Sequence, residues 1–337
     1  MQNEEFFKYK DNFITDKKIK SILIHGNLNH ISHPKITIAI PTYKRPECLK
    51  QAVDSVLNQI NYNDFEIIII DNEANFTDES INIQLIKQYN NPRILYYINE
   101  ENIGMFGNWN RCIQLARGEY ITILNDDDWL EENFLSISSK FLIDNCAIYT
   151  QAKNIDLRKN KSNSKDSDKL LLIKEKIKKF LFKKIRKLNL MDFFFYNWSP
   201  GSLGILFKTD KLIELGGYNK DYYPSSDYIL HANYIREFGG LYIYEQLSNY
   251  RIEHNESLNV TTAIKWQEID YYFRIYLFQY FKISSKILYK FVITIQCNQI
   301  NSLENKWGIK VNQVNINKGQ RFILSRFISL RNIIKSI

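Results

Sequence analysis

Three consecutive carboxylates, Asp126, Asp127 and Asp128, stand just beyond a short β-type run at Tyr120–Leu124. Acids packed this closely repel one another unless a cation or solvent compensates. A hard divalent ion held by one or two carboxylates, with substrate phosphates completing its shell, meets that need. Open α/β sheets bind ligands outside the carboxyl ends of their strands, where this cluster falls. An isolated Asp-Asp-Asp is more often a solvated turn capping the next helix; the rest of the pattern reverses that reading. Asp71 closes the run Phe65–Asp71 in the same manner, and Asp227 precedes a helical stretch at Tyr228–Phe238, where it could serve as an N-cap.

The elements that would carry these groups alternate between strand and helix. Lys35–Pro41 reads as a strand. A helix follows, with Pro46 in its first turn and Leu49, Val53, Val56, Leu57 and Ile60 at helical spacing. Phe65–Asp71 reads as a buried parallel strand because it is apolar and β-branched almost throughout. A helix near 78–90, a strand at 93–98, a helix at 107–117 and the strand Tyr120–Leu124 continue the series. This succession predicts an α/β fold, a mostly parallel sheet with helices on both faces. Neither a Gly-x-Gly-x-x-Gly nor a Walker loop occurs, which disfavours the familiar dinucleotide and P-loop modes of phosphate binding.

With 337 residues, 45% of them hydrophobic, the chain can bury a sizeable core. Its four cysteines, Cys48, Cys112, Cys146 and Cys297, lie far apart and suit neither a zinc site nor a disulfide framework, so a reducing cytoplasm is expected. No secretory leader is expected, since the first residues lack a basic start followed by an apolar stretch. The most apolar segment, 271–295, is interrupted by Arg274, Lys282, Lys286 and Lys290 and does not read as a membrane span. The formal charge of +8 is uneven: residues 151–190 carry 14 Lys and Arg against 4 Asp and Glu. Within them, 153–168 reads as a polar loop and Lys169–Leu190 as a basic amphipathic helix suited to an anionic membrane surface. Arg321–Ile337 is a second basic apolar segment.

Four segments together resemble a family 2 glycosyltransferase with a GT-A fold, of the bacterial surface-polysaccharide kind, over about residues 35–257. They are Ile40-Pro-Thr-Tyr-Lys-Arg45; Ile70-Asp-Asn-Glu-Ala-Asn-Phe-Thr-Asp78; Asn102-Ile-Gly104 with Asn108-Trp-Asn110, leading through Ala116–Tyr120 to Leu124–Leu130; and Gly216-Gly-Tyr218, Ser226-Asp227 and Tyr250-Arg-Ile-Glu-His254. The resemblance divides the chain into an N-terminal extension (1–33), a catalytic domain (34–257) and a helical, basic C-terminal region (258–337). It implies an inverting transfer of a hexose from a nucleotide sugar, UDP-linked, to an oligosaccharide or lipid-linked glycan. The setting would be the inner face of the cytoplasmic membrane; a nucleic-acid partner is not expected.

Such a transfer releases a nucleoside diphosphate, whose developing charge a divalent cation stabilises. By resemblance the cofactor is Mn²⁺ or Mg²⁺, with Asp127 the principal ligand, Asp128 assisting, and His254 of the Arg-x-x-His sequence in the metal set. Asp126 falls where ribose contact is expected, and Asp71 where the nucleobase is held. Pro41, Thr42, Tyr43, Arg45, Asn102, Gly104, Asn110 and Arg251 complete the donor-binding set. Asp227 matches the base that takes the proton of the acceptor hydroxyl. Trp198, Gly201 and Ser202, with Tyr218, Tyr222 and Tyr223, would line the acceptor side. Three positions depart from the pattern: Asn125, Asn72 and Ser226 stand where relatives carry acids. A sugar-phosphate nucleotidyltransferase and a non-catalytic carbohydrate-binding scaffold are the alternative readings.

Overall fold

The computed structural model describes residues 4–77, 80–143, 145–158, 185–198, 201–253, 255 and 259–307. The strands are β1 (Ser21–His25), β2 (Ile36–Thr42), β3 (Phe65–Asp71), β4 (Ile94–Asn99), β5 (Tyr120–Ile123), β6 (Trp129–Leu130), β7 (Ala147–Asp156), β8 (Ile185–Leu188), β9 (Ile205–Lys208) and β10 (Gly240–Ile252). The helices are α1 (Pro46–Leu57), α2 (Ile81–Tyr89), α3 (Gly104–Leu115), α4 (Phe134–Ser138), α5 (Leu190–Phe195), α6 (Thr209–Glu214), α7 (Ser226–Phe238), α8 (Val260–Tyr276) and α9 (Ser285–Trp307).

The described strands join in the order β1-β4-β3-β2-β5-β9-β7-β10-β6, with β8 also on β10. The centre, β4-β3-β2-β5, is parallel, as are β7 and β10, whereas β1, β6, β8 and β9 run antiparallel to their neighbours. The two-residue period of β2 and β3 divides their side chains between two apolar layers. Ile38, Ile40, Ile67 and Ile69 meet Leu49, Val53 and Val56 of α1 and Ile83 and Ile86 of α2. Ala39, Ile68 and Ile70 face Phe106, Trp109, Cys112 and Ile113 of α3, in a layer continued by Phe6, Phe273, Leu277 and Val292. Covering both faces explains why every residue of β2 and β3 is buried. The N-terminal segment and the C-terminal helices thus share one core with the sheet.

An ion pair between the half-buried Arg117 and the buried Glu66 lies where the central strands begin. Arg117 Nε donates to Glu66 Oε2 at 2.8 Å, and Thr37 Oγ1 donates to Glu66 Oε1 at 2.7 Å. The adjoining turn needs glycine, since a Cβ on Gly118 would lie 2.4 Å from the Thr37 nitrogen. This closure aligns β5 with β2 and delivers Asp126–Asp128 beside the β2–α1 loop.

Some expectations are corrected. Residues 153–156 continue β7 instead of opening a loop, because they pair with β10 from Asn249 to Ile252. Ile185–Leu188, expected at the end of a basic helix, form β8 against Gly240–Ile243. Residues 159–184 of that expected helix and loop, and the segment Arg321–Ile337, lie outside the described residues. No disulfide joins the described cysteines, and no described helix is long and apolar enough to cross a membrane.

Candidate functional site

The acids at the end of β5 are held by two basic residues and the end of β2. Thr42 Oγ1 donates to Asp126 Oδ2 at 2.8 Å, with the Tyr43 N–H at 3.3 Å. Arg45 Nη1 lies 2.9 Å from Asp127 Oδ2 and 3.5 Å from Asp126 Oδ1. Arg251 grips the turn from β10: its N–H donates to Asp128 Oδ1 at 3.0 Å and its Nε to the Asp127 carbonyl at 2.8 Å. Its guanidinium also meets Gln51 and stacks over Trp129. Pro41 is buried within β2, one residue before its end, while the Tyr43 ring is exposed.

Electrostatically the cluster is short of positive charge. Burial, reinforced by Asp127, pushes the Asp126 carboxyl up to about 6. The same two causes hold the Asp128 carboxyl well above the usual range, and its buried Oδ2 has no hydrogen-bond partner. Asp127 is the most accessible of the three, with its side chain 16% exposed. Among the described residues, no group of three or more His, Cys, Asp or Glu side chains is arranged to hold a metal ion. The orphaned Asp128 oxygen and the accessible Asp127 fit a hard divalent ion held by one or two carboxylates with substrate phosphates. His254 lies outside the described residues; its neighbour Asn255 reaches Asp127 Oδ2 with its amide at 3.4 Å.

The remaining donor-side residues divide between the cleft and the framework. Asp71 turns inward: its Oδ2 accepts from Tyr96 Oη and Asn82 Nδ2, both at 2.7 Å, and its Oδ1 from the Glu73 N–H. Expected to receive a nucleobase, this carboxylate instead has its principal partners inside the protein. Asn110 spends both ends of its amide on the backbone of Tyr218, at 2.8 and 2.7 Å, and so clamps the Gly217–Tyr218 turn instead of facing a ligand. Asn102 accepts from Asn72 Nδ2 at 2.7 Å and from the Gly104 N–H at 2.9 Å, which closes the turn into α3. Asn72 extends the network, accepting from Asn99 Nδ2 and the Ile103 N–H.

Asp227 lies across a single loop from the acid cluster. The Asn125 amide donates to the Gly201 carbonyl at 3.1 Å, and the Gly201 N–H is among the partners of the Asp227 carboxylate. Gly201 itself has φ +60°, a conformation that costs glycine little. Ser225 is the N-cap of α7, so Asp227 takes not the alternative role of cap but a place inside the first turn, accepting from the Tyr228 N–H at 2.8 Å. Burial is the main cause that pushes its carboxyl up to about 7, and the charge of Asp270 adds to it.

Asp270, from α8, was invisible to motif reasoning. It accepts from Ser225 Oγ at 2.9 Å and pairs with the buried Arg274 at 3.5 Å, thereby bracing the turn that presents Asp227. Behind the Gly201 loop, Ser202 Oγ, Tyr218 Oη and His231 Nε2 form a buried network at 2.7 and 3.0 Å. Burial drives the His231 imidazole down to about 3, so it is neutral. Tyr218 is therefore a core group, as is Tyr222, whose ring packs on Phe6. Trp198 and Tyr223 are only partly buried, with Trp198 edge-on to Tyr242.

Residues 37–199 match the family described as Glycosyl transferase family 2. The chain is 28% identical to an uncharacterized glycosyltransferase of Methanocaldococcus jannaschii over 250 residues, which cover 73% of this chain and 80% of that one. It is 36% identical to the GalNAc(5)-diNAcBac-PP-undecaprenol beta-1,3-glucosyltransferase of Campylobacter jejuni, over 31% of this chain and 33% of the relative. It is 37% identical to an abequosyltransferase of Salmonella typhimurium, over 34% of each. The last two relatives are thus matched over about a third of their length. Among solved structures, S. aureus TarS 1–349 in complex with UDP-GlcNAc superimposes with a TM-score of 0.56 at 14% identity, covering 82% of this chain and 76% of that one. The mannosyltransferase PcManGT of Pyrobaculum calidifontis, in complex with GDP-Man and Mn²⁺, gives 0.52 at 14%, covering 88% and 80%. These structures share the GT-A fold with the chain.

Proposed function

This chain belongs to glycosyl transferase family 2 and is a glycosyltransferase; from that premise we propose that it moves a hexose, with inversion, from a UDP-linked donor to a lipid-linked glycan of a bacterial surface polysaccharide such as lipopolysaccharide, lipooligosaccharide or capsule. The work would take place at the inner face of the cytoplasmic membrane. The observation that carries the reading is the meeting of two carboxylate sites at Gly201, which accepts from Asn125 and donates to Asp227. One site can receive a diphosphate and the other an acceptor hydroxyl, at the C-terminal edge of the parallel strands. The relative acting on a PP-undecaprenol-linked glycan supports the acceptor class, and the UDP-GlcNAc complex of TarS supports the donor. Family membership sets aside the nucleotidyltransferase and scaffold readings.

Each residue then has a chemical task. Asp126, oriented by Thr42 and the Tyr43 N–H, accepts from the donor ribose. Arg45, now shared between Asp126 and Asp127, supplies positive charge beside the departing diphosphate. Arg251 keeps the Asp127–Asp128 turn in place through its backbone and Nε contacts. A Mn²⁺ or Mg²⁺ ion held by Asp127, with Asp128 beside it, would offset the charge that develops on the leaving group. Asp227 takes the proton of the acceptor hydroxyl as it attacks the anomeric carbon. Its raised basicity suits that task near neutral pH.

A panel of nucleotide sugars tests the reading by thermal stabilisation and by Mn²⁺-dependent hydrolysis. UDP-hexoses should stabilise the protein and be hydrolysed slowly, and Asp127→Ala should abolish the metal-dependent turnover and weaken UDP binding. Near-normal turnover in the presence of chelator would refute the role of the ion. Stabilisation by another nucleotide series alone would refute the UDP assignment.

A further inference from the structure

Large apolar side chains stand exposed where the end of α5 meets the start of α9. Phe195 and Tyr196, at the end of α5, Ile283, just before α9, and Ile287 and Phe291, in its first turns, are each between 43% and 64% exposed. Phe195 and Phe291 bring the two segments together: their rings meet edge-on with centroids 5.4 Å apart, and Phe194 beneath joins Phe195 to Phe281. On α9, Leu288 and Val292 form the buried seam. Ile287 and Phe291 precede these by one residue, so they lie about 100° around the helix and face outward. Lys286 and Lys290 precede them in turn, making a second exposed row, which Lys282 extends into the preceding turn. Residues 271–303 contain no Asp or Glu, and their other basic residue, Arg274, is consumed by the buried pair with Asp270.

An apolar row flanked by lysines and edged by aromatic rings is suited to the boundary between lipid headgroups and acyl chains. The lysine stems lie along apolar surface while their ammonium groups reach the headgroup phosphates. A second copy of the chain fits poorly, because lysine is depleted from protein interfaces and residues 271–303 carry no acid to meet a lysine row. We propose that Phe195, Tyr196, Ile283, Ile287 and Phe291, flanked by Lys282, Lys286 and Lys290, dock onto an anionic lipid bilayer. The surface adjoins the acceptor side: α5 leads through Trp198 to Gly201, which contacts Asp227. The docked face would hold that loop against the membrane, where a lipid-linked acceptor resides. This last step rests on the acceptor reading above; the docking itself does not.

Vesicle flotation of the full chain tests the proposal, with mixed phosphatidylglycerol–phosphatidylcholine vesicles against phosphatidylcholine alone. Binding should require the anionic lipid and fall steeply with salt. Each lysine strengthens partition by roughly fivefold, so Lys282→Glu/Lys286→Glu/Lys290→Glu should weaken it by at least about 10²-fold. Each buried apolar side chain contributes on the order of tenfold, so Ile287→Ser/Phe291→Ser should weaken it about 10²-fold. Both variants alter exposed positions and should keep the wild-type melting temperature. Undiminished binding by either variant would overturn the proposal and direct attention to the basic stretch 159–184. It would equally fail if the wild type ignored anionic vesicles, or if Ile287→Ser/Phe291→Ser merely turned a dimer into a monomer. Donor hydrolysis, which needs no lipid, should persist in both variants; its loss in the wild type would instead count against the transferase reading.

Discussion

Replacing Asp227 with Asn should remove catalysis while making the protein more stable, a combination that few other roles for this residue would give. Its carboxyl titrates at about 7, against an ordinary value of 3.8, chiefly because of burial. The folded chain therefore retains a proton that the unfolded chain releases between those values. The carboxyl's contribution to stability falls as pH rises through that window, by roughly 3 kcal/mol once pH exceeds 7, because the side chain keeps some contact with solvent. Asn does not ionise, but it loses part of the bonding to the Tyr228 and Gly201 N–H groups, worth about 1–2 kcal/mol. The net gain at pH 8 is on the order of 2 kcal/mol, a rise of several degrees in melting temperature, absent at pH 4. Transfer, followed by UDP release with acceptor present, should fall by about 10²–10⁴ while UDP-sugar binding persists. Wild-type turnover should climb about tenfold per pH unit below its midpoint near 7. Transfer by the Asn variant within about threefold of wild type would refute the base assignment, and Glu253 would be the next residue to test.

Three further outcomes follow from the same geometry. Asp270→Asn removes the charge that adds to the rise at Asp227 and leaves Arg274 buried with a weaker partner; the turnover midpoint should move to lower pH and stability should drop by about 3–5 kcal/mol, and an unmoved midpoint would reduce Asp270 to scaffolding. His231 is held neutral down to about 3, so its contribution to stability is complete above about 6.5 and is lost as pH falls toward 3; His231→Gln should flatten that acid limb in denaturation curves, and an unchanged slope would show that the imidazole is accessible to protons. Arg117→Ala strands Glu66 in the core between β2 and β3 and should cost about 3–5 kcal/mol in urea unfolding, whereas a loss below about 1 kcal/mol would mean that water reaches the carboxylate.

The α/β succession from Lys35 to Asp128 is legible in the sequence because it is written in local pattern. Phe65–Asp71 is apolar enough to be buried on both faces, Pro46 opens a helix, and Asp126–Asp128 must follow the strand that ends beside them. Local pattern also reveals that residues 151–190 are basic, yet their ends belong to β7 and β8, because unpaired backbone there finds partners on β10. The acids of the candidate site are named by sequence, but their directions are not. Asp71 turns inward because Tyr96 and Asn82 offer it two buried donors. Asn125, which weakens the expected acidic motif, finds its use on Gly201, 76 residues away. Asp270 and Arg274 belong to no recognisable motif, and only packing α8 against α7 brings them behind Asp227. Strand and helix follow from neighbouring residues because backbone geometry repeats every two or 3.6 positions. A side chain's hydrogen-bond partner and the proton affinity that burial imposes depend on which distant surfaces meet, so only the tertiary structure decides them.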